Sequence, residues 1–281
     1  MAHNLAQVLF APKSVAIVGQ SNDAGKTAGR PLKYLRQAGF AGRIYPVNAR
    51  RDEVLGEKAW PSLASLPEVP EHVYIVAGTD AAIEAIEEAG RLGVPVASAL
   101  ANGFGESGAD GESREARLRE IVAKTGIRIV GPSSLGIVDM RHKSFLTANA
   151  AFDEPDLPVG RIFAASHSGG MIGTFLSRGK ARGIGFAGLV SVGNEVDLSI
   201  GEICASTLDD PGIDGYLLFL ESLGVTDCTM GNHVYHARYL DIIEAARGEF
   251  FRAAGVPLAS LHEHGLFFPV VESHLHHEAT A

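Results

Sequence analysis

The sequence predicts an α/β fold: a doubly wound parallel sheet with helices on both faces, a second unit of the same kind, and a C-terminal segment of different character. Three observations predict it. The first 140 residues alternate short β-rich runs with amphipathic stretches whose apolar residues recur at i, i+3 and i+4. Glycine follows each amphipathic stretch, at Gly39, Gly93 and Gly126, where a helix would stop. A strand–turn–helix pattern then starts afresh beyond residue 161. Strand–helix–strand repetition implies right-handed crossovers, and these make the sheet parallel.

In chain order, the strands of the first unit are Val15–Val18, Ile44–Pro46, Val73–Ala77, Val94–Ala99 and Ile127–Gly131. Helices are expected near 29–38, 80–91 and 112–124. Together they make a Rossmann-like domain over residues 1–150. "AFDEPDLPVGR", 151–161, carries two prolines and three acids and reads as a linker. A flavodoxin-like unit over 151–223 follows. Its elements are a strand Ile162–Ala165, the turn "SHSGG", a helix from about 171 to 182, a strand Ala187–Val192, a helix near 199–208 and a strand Gly215–Leu220. At Leu223/Gly224 the rhythm stops. Residues 224–281 hold seven of the eleven histidines and no lysine, and form a separate module.

Composition narrows the function classes. A chain of 281 residues that is 46% hydrophobic and 20% charged can bury a substantial core in about two domains. A formal charge of −9 argues against nucleic acid as a partner, because phosphate backbones recruit basic surfaces. Two cysteines, Cys204 and Cys228, are too few for a disulfide framework and point to a reducing compartment. The N-terminus lacks a secretory pattern, and no apolar run approaches the ~20 residues that span a bilayer. A cytoplasmic protein without membrane contact is expected.

"SVAIVGQSNDAGKTAG", 14–29, is a near miss for two nucleotide signatures. A P-loop needs four residues between its first glycine and Gly-Lys-Thr, and here Gly19 and Gly25 are separated by five. The dinucleotide fingerprint needs glycines where Ser21 and Ala24 stand. What survives is a backbone turn feeding a helix, where free N–H groups and the helix dipole suit a phosphate, with Lys26 and Arg30 as countercharge. A bare strand-to-helix turn explains the same residues. Asn48 in "YPVNAR", Asn102 and Gly103 in "ALANGFGESG", and "VGPSSLG" at 130–136 all follow strands. They would therefore gather at the one sheet edge where ligands of doubly wound folds collect.

"AASHSGGMIG", 164–173, is a second such turn, offering Ser166, Ser168, Gly169 and Gly170 to an anion and His167 to substrate contact or catalysis. Glu195 and Asp197 in "GNEVDLS" read most simply as a helix N-cap region. Glu221 closes the apolar strand "YLLFLES" at the carboxyl edge. The histidines of "HLHH" and "HEH" lack zinc-site spacing, and no metal site is assigned.

With these pieces in view, residues 8–223 resemble the alpha subunit of succinyl-CoA synthetase and the matching half of NDP-forming acyl-CoA synthetases. The carriers are "PKSVAIVGQSNDAGKTAGRPLKYLRQAGFAGRIYPVNARRDEVLGEKAWPSL", "ANGFGESG", "GPSSLGIV", "ASHSGGMIG" and "SVGNEVDLSIGEI", in the family's order and spacing. The resemblance implies that the first domain binds coenzyme A, through Gly19, Ser21, Lys26, Asn48, Asn102 and Gly103. It puts Ser166, Ser168 and Gly169 near the phosphoryl or acyl end, and Glu221 where a glutamate orients a phosphohistidine. In that mechanism ATP or GTP phosphorylates a histidine, the acid takes the phosphoryl group, and CoA displaces phosphate to give a thioester. The phosphohistidine is not evident in this chain, so nucleotide with Mg is expected only through a partner ATP-grasp, beta-type chain, in an oligomer. "GPSSLG" carries serine where asparagine is usual, and His167 stands where glutamine or arginine is common.

Residues 224–281 resemble the N-terminal part of a hotdog acyl-CoA thioesterase, through "TDCTMGNHVYHARYLDIIEAARGEFFRAAGVPL" and "GLFFPVVESHLHHEA". That resemblance implies a partial α+β hotdog, its helix starting around Val234–Phe251 and its next strand at Phe268–His276. Thr229 occupies the usual catalytic aspartate position, leaving Asp227 or Glu244 as substitutes. The substrates implied are CoA with a carboxylic acid, or an acyl-CoA. Thioester hydrolysis and ligand binding without turnover are the alternative functions.

Overall fold

A computed structural model describes residues 4–220. The expectations placed at 221–281, including Glu221, Asp227, the hotdog helix and strand, and the histidine-rich tail, lie outside the described residues.

The first half builds one parallel sheet. After α1 (Leu5–Phe10) come β1 (Ser14–Val18), α2 (Arg30–Ala38), β2 (Arg43–Val47), a short hairpin of β3 (Glu53–Val54) and β4 (Glu57–Lys58), and β5 (His72–Ile75). Then follow α3 (Thr79–Arg91), β6 (Val96–Ala99), α4 (Gly108–Thr125) and β7 (Arg128–Val130). The order is β2-β1-β5-β6-β7, all parallel, with Ser14 opposite Arg43 and Val15 opposite His72. Burial on both faces explains why these strands read as continuous apolar runs. Each expected strand is present, with small shifts at the ends. β6 begins at Val96 because Pro95 has no N–H for the ladder. α4 begins at Gly108, ahead of the expected 112, because its first turns are polar and carry no apolar period.

The second half adds β8 (Gly136–Asp139), β9 (Ser144–Thr147), β10 (Val159–Ser166), α5 (Gly169–Lys180), β11 (Phe186–Ser191), α6 (Ile200–Ala205) and β12 (Gly215–Phe219). Its sheet has the order β12-β10-β11-β8-β9. The first three strands are parallel, β8 pairs antiparallel with β11, and β9 pairs antiparallel with β8. The β8–β9 hairpin is a departure from the sequence reading. Its turn has no glycine or asparagine, and Lys143 adopts φ 58° instead. Residues ahead of 150 thus extend the second sheet. The stretch 151–161, expected as linker, holds a 3-10 turn at Ala150–Asp153 and the start of β10.

Two features join the halves. Helix α2 lies between them: Leu32 and Leu35 pack with Val15, Ile17 and Leu146, whereas Tyr34 packs with Val138, Phe152 and Ala164. In addition, the segment after β11 runs along the outer edge of β7. The N–H groups of Asn194, Val196 and Leu198 donate to the carbonyls of Pro132, Gly131 and Ile129 at 3.0, 3.1 and 3.0 Å. Asp197 accepts from the Ile129 N–H at 2.7 Å and pairs with Arg128 at 3.0 Å. An edge strand is thereby covered.

Asp139, whose side chain is 2% exposed, accepts from the N–H groups of Arg141 and His142 at 2.8 Å each, and pairs with the Arg141 guanidinium at 3.2 Å. That guanidinium also forks onto Asp210 at 2.9 and 2.7 Å. Asp139→Ala leaves two turn N–H groups unsatisfied and removes one partner of a buried pair. It is expected to lower stability by about 3 kcal/mol, read from urea unfolding.

Candidate functional site

The site is built at the carboxyl edge of the first sheet. Gly19 follows β1, with φ 85°, and its backbone passes so close to the chain leaving β5 that an added Cβ would lie 3.1 Å from the Ala77 nitrogen. Only glycine fits both conditions comfortably. The Gly19 N–H donates to Val47 O at 3.0 Å, and the Asn48 side-chain amide donates to Gln20 O at 3.0 Å. β2 thus fixes the turn from one side. Gln20 is buried, its amide donating to Ser21 O and Gly29 O at 2.9 and 3.1 Å while its Oε1 has no donor among the described residues.

Along this edge runs a cleft of about 930 Å³. Its floor is Val18, Gly19 and Ala77; one wall is Asn48, Ala49 and Arg50; the other is the α3 face bearing Ala81, Glu84, Glu88 and Arg91. Arg50 and Arg91 bring two guanidinium groups to the cleft, beside the carboxylates of Glu84 and Glu88.

The turn itself differs from the expected open cradle. Ser21 N–H donates to Ala28 O, Asp23 N–H to Ser21 Oγ, Gly25 N–H to Asp23 Oδ1, Lys26 N–H to Asp23 O and Gly29 N–H to Lys26 O. These five amides are bonded within the turn, which leaves them turned away from a ligand. Ser21 and Lys26 sit on this turn but line neither cleft described here. Arg30 departs further. Its guanidinium donates to Ala148 O at 3.1 Å and lines a separate cleft of about 550 Å³ with Asn149, Gly170 and Arg178. It is drawn there because it opens α2, the helix shared by both sheets.

Asn102 and Gly103 follow β6 on a neighbouring loop. Asn102 O accepts the Thr79 hydroxyl at 2.8 Å; Gly103, with φ 87°, donates its N–H to Glu106 Oε1 at 2.6 Å. In the second sheet, Ser166 is buried and its hydroxyl donates to Ser168 O at 2.9 Å. Ser168 is the N-cap of α5, but its side chain makes no cap bond. Gly169 packs on Leu135, where an added Cβ would meet side-chain carbons at 2.6 Å, and its carbonyl accepts the Asn149 amide. His167 Nε2 lies 3.3 Å from Glu195 Oε1. Glu195, in the left-handed region at φ 51°, also accepts the Ile200 N–H at 2.5 Å, while Ser199 and Glu202 form the capping box of α6.

Gly19 and Asn48 therefore meet at the first cleft, and Ser166–Gly169 with His167 form a second locus at the carboxyl edge of β10. Sequence reasoning missed Arg50 and Arg91, although "AR" directly after a β2 strand end carried a usable signal. It also missed Gln20 and Asn194, whose roles depend on partners distant in sequence. Among the described residues no cluster of His, Cys, Asp and Glu could hold a metal, and no helix is long and apolar enough to cross a membrane.

Comparison with known proteins supports the fold and the kind of domain. Residues 13–140 match the family model of a CoA binding domain, 159–230 that of the succinyl-CoA ligase like flavodoxin domain, and 223–281 that of the thioesterase-like superfamily. The chain is 34% identical over 219 residues to acetate–CoA ligase [ADP-forming] I of Archaeoglobus fulgidus, covering 78% of this chain and 31% of that protein. It is 31% identical over 251 residues to the alpha subunit of acetate–CoA ligase [ADP-forming] I of Pyrococcus furiosus, covering 86% and 53%. Among solved structures, the apo dinucleotide forming acetyl-coenzyme A synthetase 1 of Ca. Korarchaeum cryptofilum superposes with a TM-score of 0.72 at 27% identity, over 79% of this chain and 47% of that one. The chain spans about a third to a half of the length of the curated relatives it matches. The likeness of residues 8–223 to the alpha-subunit-type, CoA-binding half of NDP-forming acyl-CoA synthetases holds in both sequence and fold.

Proposed function

We propose that this chain, bearing that alpha-type likeness, holds coenzyme A in the Gly19 cleft and acts as the CoA-binding side of an NDP-forming acid–thiol ligase. The observation that carries the reading is the cleft itself: a glycine floor at the end of β1, in a sheet matching a CoA binding domain, flanked by Arg50 and Arg91. Asn48 acts by holding the turn. Ser166, Ser168, Gly169 and His167 serve the acyl or phosphoryl end, with Glu195 3.3 Å from His167 Nε2. Nucleotide chemistry comes from an ATP-grasp partner chain, and Glu221 stands where a glutamate of the family orients a phosphohistidine, a histidine not evident in this chain. The carboxylate oxygen of the acid attacks the phosphohistidine phosphorus and displaces the histidine nitrogen, giving an acyl phosphate; the CoA sulfur, its proton passing to a base, then attacks the acyl carbon and inorganic phosphate leaves. The match at 223–281 raises thioester hydrolysis, with Asp227 involved, as a second reading. The relatives that span the first 220 residues are ligases, and they favour thioester formation.

A thermal-shift titration tests the ligand. CoA at about a hundred times its Kd adds about 2.7 kcal/mol to folding stability by selective binding to the native state, and NAD adds less. Equal or reversed responses would count against CoA.

A further inference from the structure

The cleft of the first sheet and the His167 locus of the second are joined by a run of polar contacts linked through the Asn102–Gly103 and Asn194–Glu195 peptide bonds. Helix α3 walls the cleft, and its first residue, Thr79, donates its hydroxyl to Asn102 O at 2.8 Å. The next residue, Gly103, donates its N–H to Glu106 Oε1 at 2.6 Å. The other oxygen of the same carboxylate, Oε2, accepts the Asn194 side-chain amide at 2.7 Å. Glu115 Oε1 stands behind both, accepting the Gly105 N–H at 3.0 Å and lying 3.5 Å from the Asn194 amide. The residue after Asn194 is Glu195, which pairs with His167.

Asn194 is not free to drift. Its own N–H is bound to Pro132 O, and the adjacent Gly193 lies so close to that turn that an added Cβ would fall 1.9 Å from the Pro132 carbonyl oxygen. Arg114 steadies the other side by donating to Gly103 O at 2.8 Å. Glu106 thus bonds both to the loop after β6 and to the strap along β7. Burial alone would raise its carboxyl pKa, but hydrogen bonds from the local backbone and from Asn194 together hold it below the usual carboxylate range.

We propose that Glu106 and Asn194 form a positioning clasp, through which a ligand in the Gly19 cleft sets the His167–Glu195 pair. The idea rests on the reading of that cleft as the CoA site. Filling the cleft fixes α3 and the Asn102–Gly103 loop, Glu106 follows its Gly103 bond, and Asn194 carries the adjustment into Glu195. A CoA-dependent ordering of His167 would let the acyl end assemble only when the thiol carrier is present.

The donor–acceptor logic supplies its own control. Asn194→Asp faces the carboxylates of Glu106 and Glu115 with a third and breaks the clasp. Adding Glu106→Gln restores it in mirror image, since the new side-chain amide donates to the introduced carboxylate while its carbonyl oxygen still accepts from Gly103. Glu106 and Asn194 are both exposed, so melting temperatures should stay within about 2 °C of wild type. The experiment is histidine-labelled NMR of the full chain during CoA titration, with the His167 resonance identified by its loss in His167→Gln.

Wild type should bind CoA and show a shift of the His167 ring resonance. Asn194→Asp should bind CoA within about fivefold of the wild-type Kd but leave His167 still, and the double variant should recover the shift. An unchanged His167 response in Asn194→Asp, or no response in wild type that binds CoA, overturns the clasp while leaving the CoA site standing. Failure of wild type to bind CoA removes the site reading and the clasp with it.

Discussion

Gly19→Val is expected to lose CoA binding, with affinity down at least about a hundredfold, or roughly 2.7 kcal/mol. Two physical effects combine. At φ 85° a β-branched residue is strained by about 1–2 kcal/mol, and its Cβ would press on the Ala77 nitrogen at 3.1 Å. Relieving that contact means moving the turn, whose place depends on the Gly19–Val47 and Asn48–Gln20 bonds. The valine methyls would then occupy the floor of the cleft. Isothermal titration reports the affinity, and urea unfolding separates it from the expected fall of about 2 kcal/mol in stability. A variant that still binds CoA like wild type would mean the ligand does not approach Gly19.

Acid unfolding should be governed largely by His72. This residue of β5 is fully buried, its Nδ1 3.2 Å from Val8 O and its Nε2 2.7 Å from the Ser98 hydroxyl. Both contacts suit one neutral tautomer: Nδ1–H donates to the carbonyl and Nε2 accepts from serine. Burial is the main cause that pushes its pKa down from 6.5 to about 4, partly offset by the Val8 bond. Between these two values the unfolded chain binds the proton and the folded one does not, so stability rises with pH across that window. It is fully present above about pH 6.5 and is lost as pH falls toward 4, a difference of about 2.5 kcal/mol between pH 7.5 and 4.5. His72→Gln should flatten that pH dependence in urea titrations while lowering stability at pH 7.5. A variant with the wild-type slope would assign the acid sensitivity to other groups.

How far the sequence discloses this molecule depends on the range of the interactions involved. Strands that are buried on both faces announce themselves by composition, so Ser14–Val18 and Phe186–Ser191 are legible almost to the residue. The β8–β9 hairpin is not, because its turn uses a left-handed Lys143 in place of a turn residue. Gly19 can be read as a turn from its place at a strand end. That its neighbours' amides close on one another, through Asp23 and Ala28, follows only from the folded path. Arg30 illustrates the same limit. Its position in sequence puts it beside the Gly19 turn, yet its helix leans on Ala148, 118 residues away, and takes the guanidinium to the other cleft.

The most direct test of the central claim is a crystal structure with CoA bound. The account predicts density along the Gly19 floor, between the Asn48 turn and the α3 face, with phosphate groups within reach of Arg50 or Arg91. CoA density instead in the cleft of Arg30 and Gly170, or a nicotinamide dinucleotide bound in preference at Gly19, would contradict it.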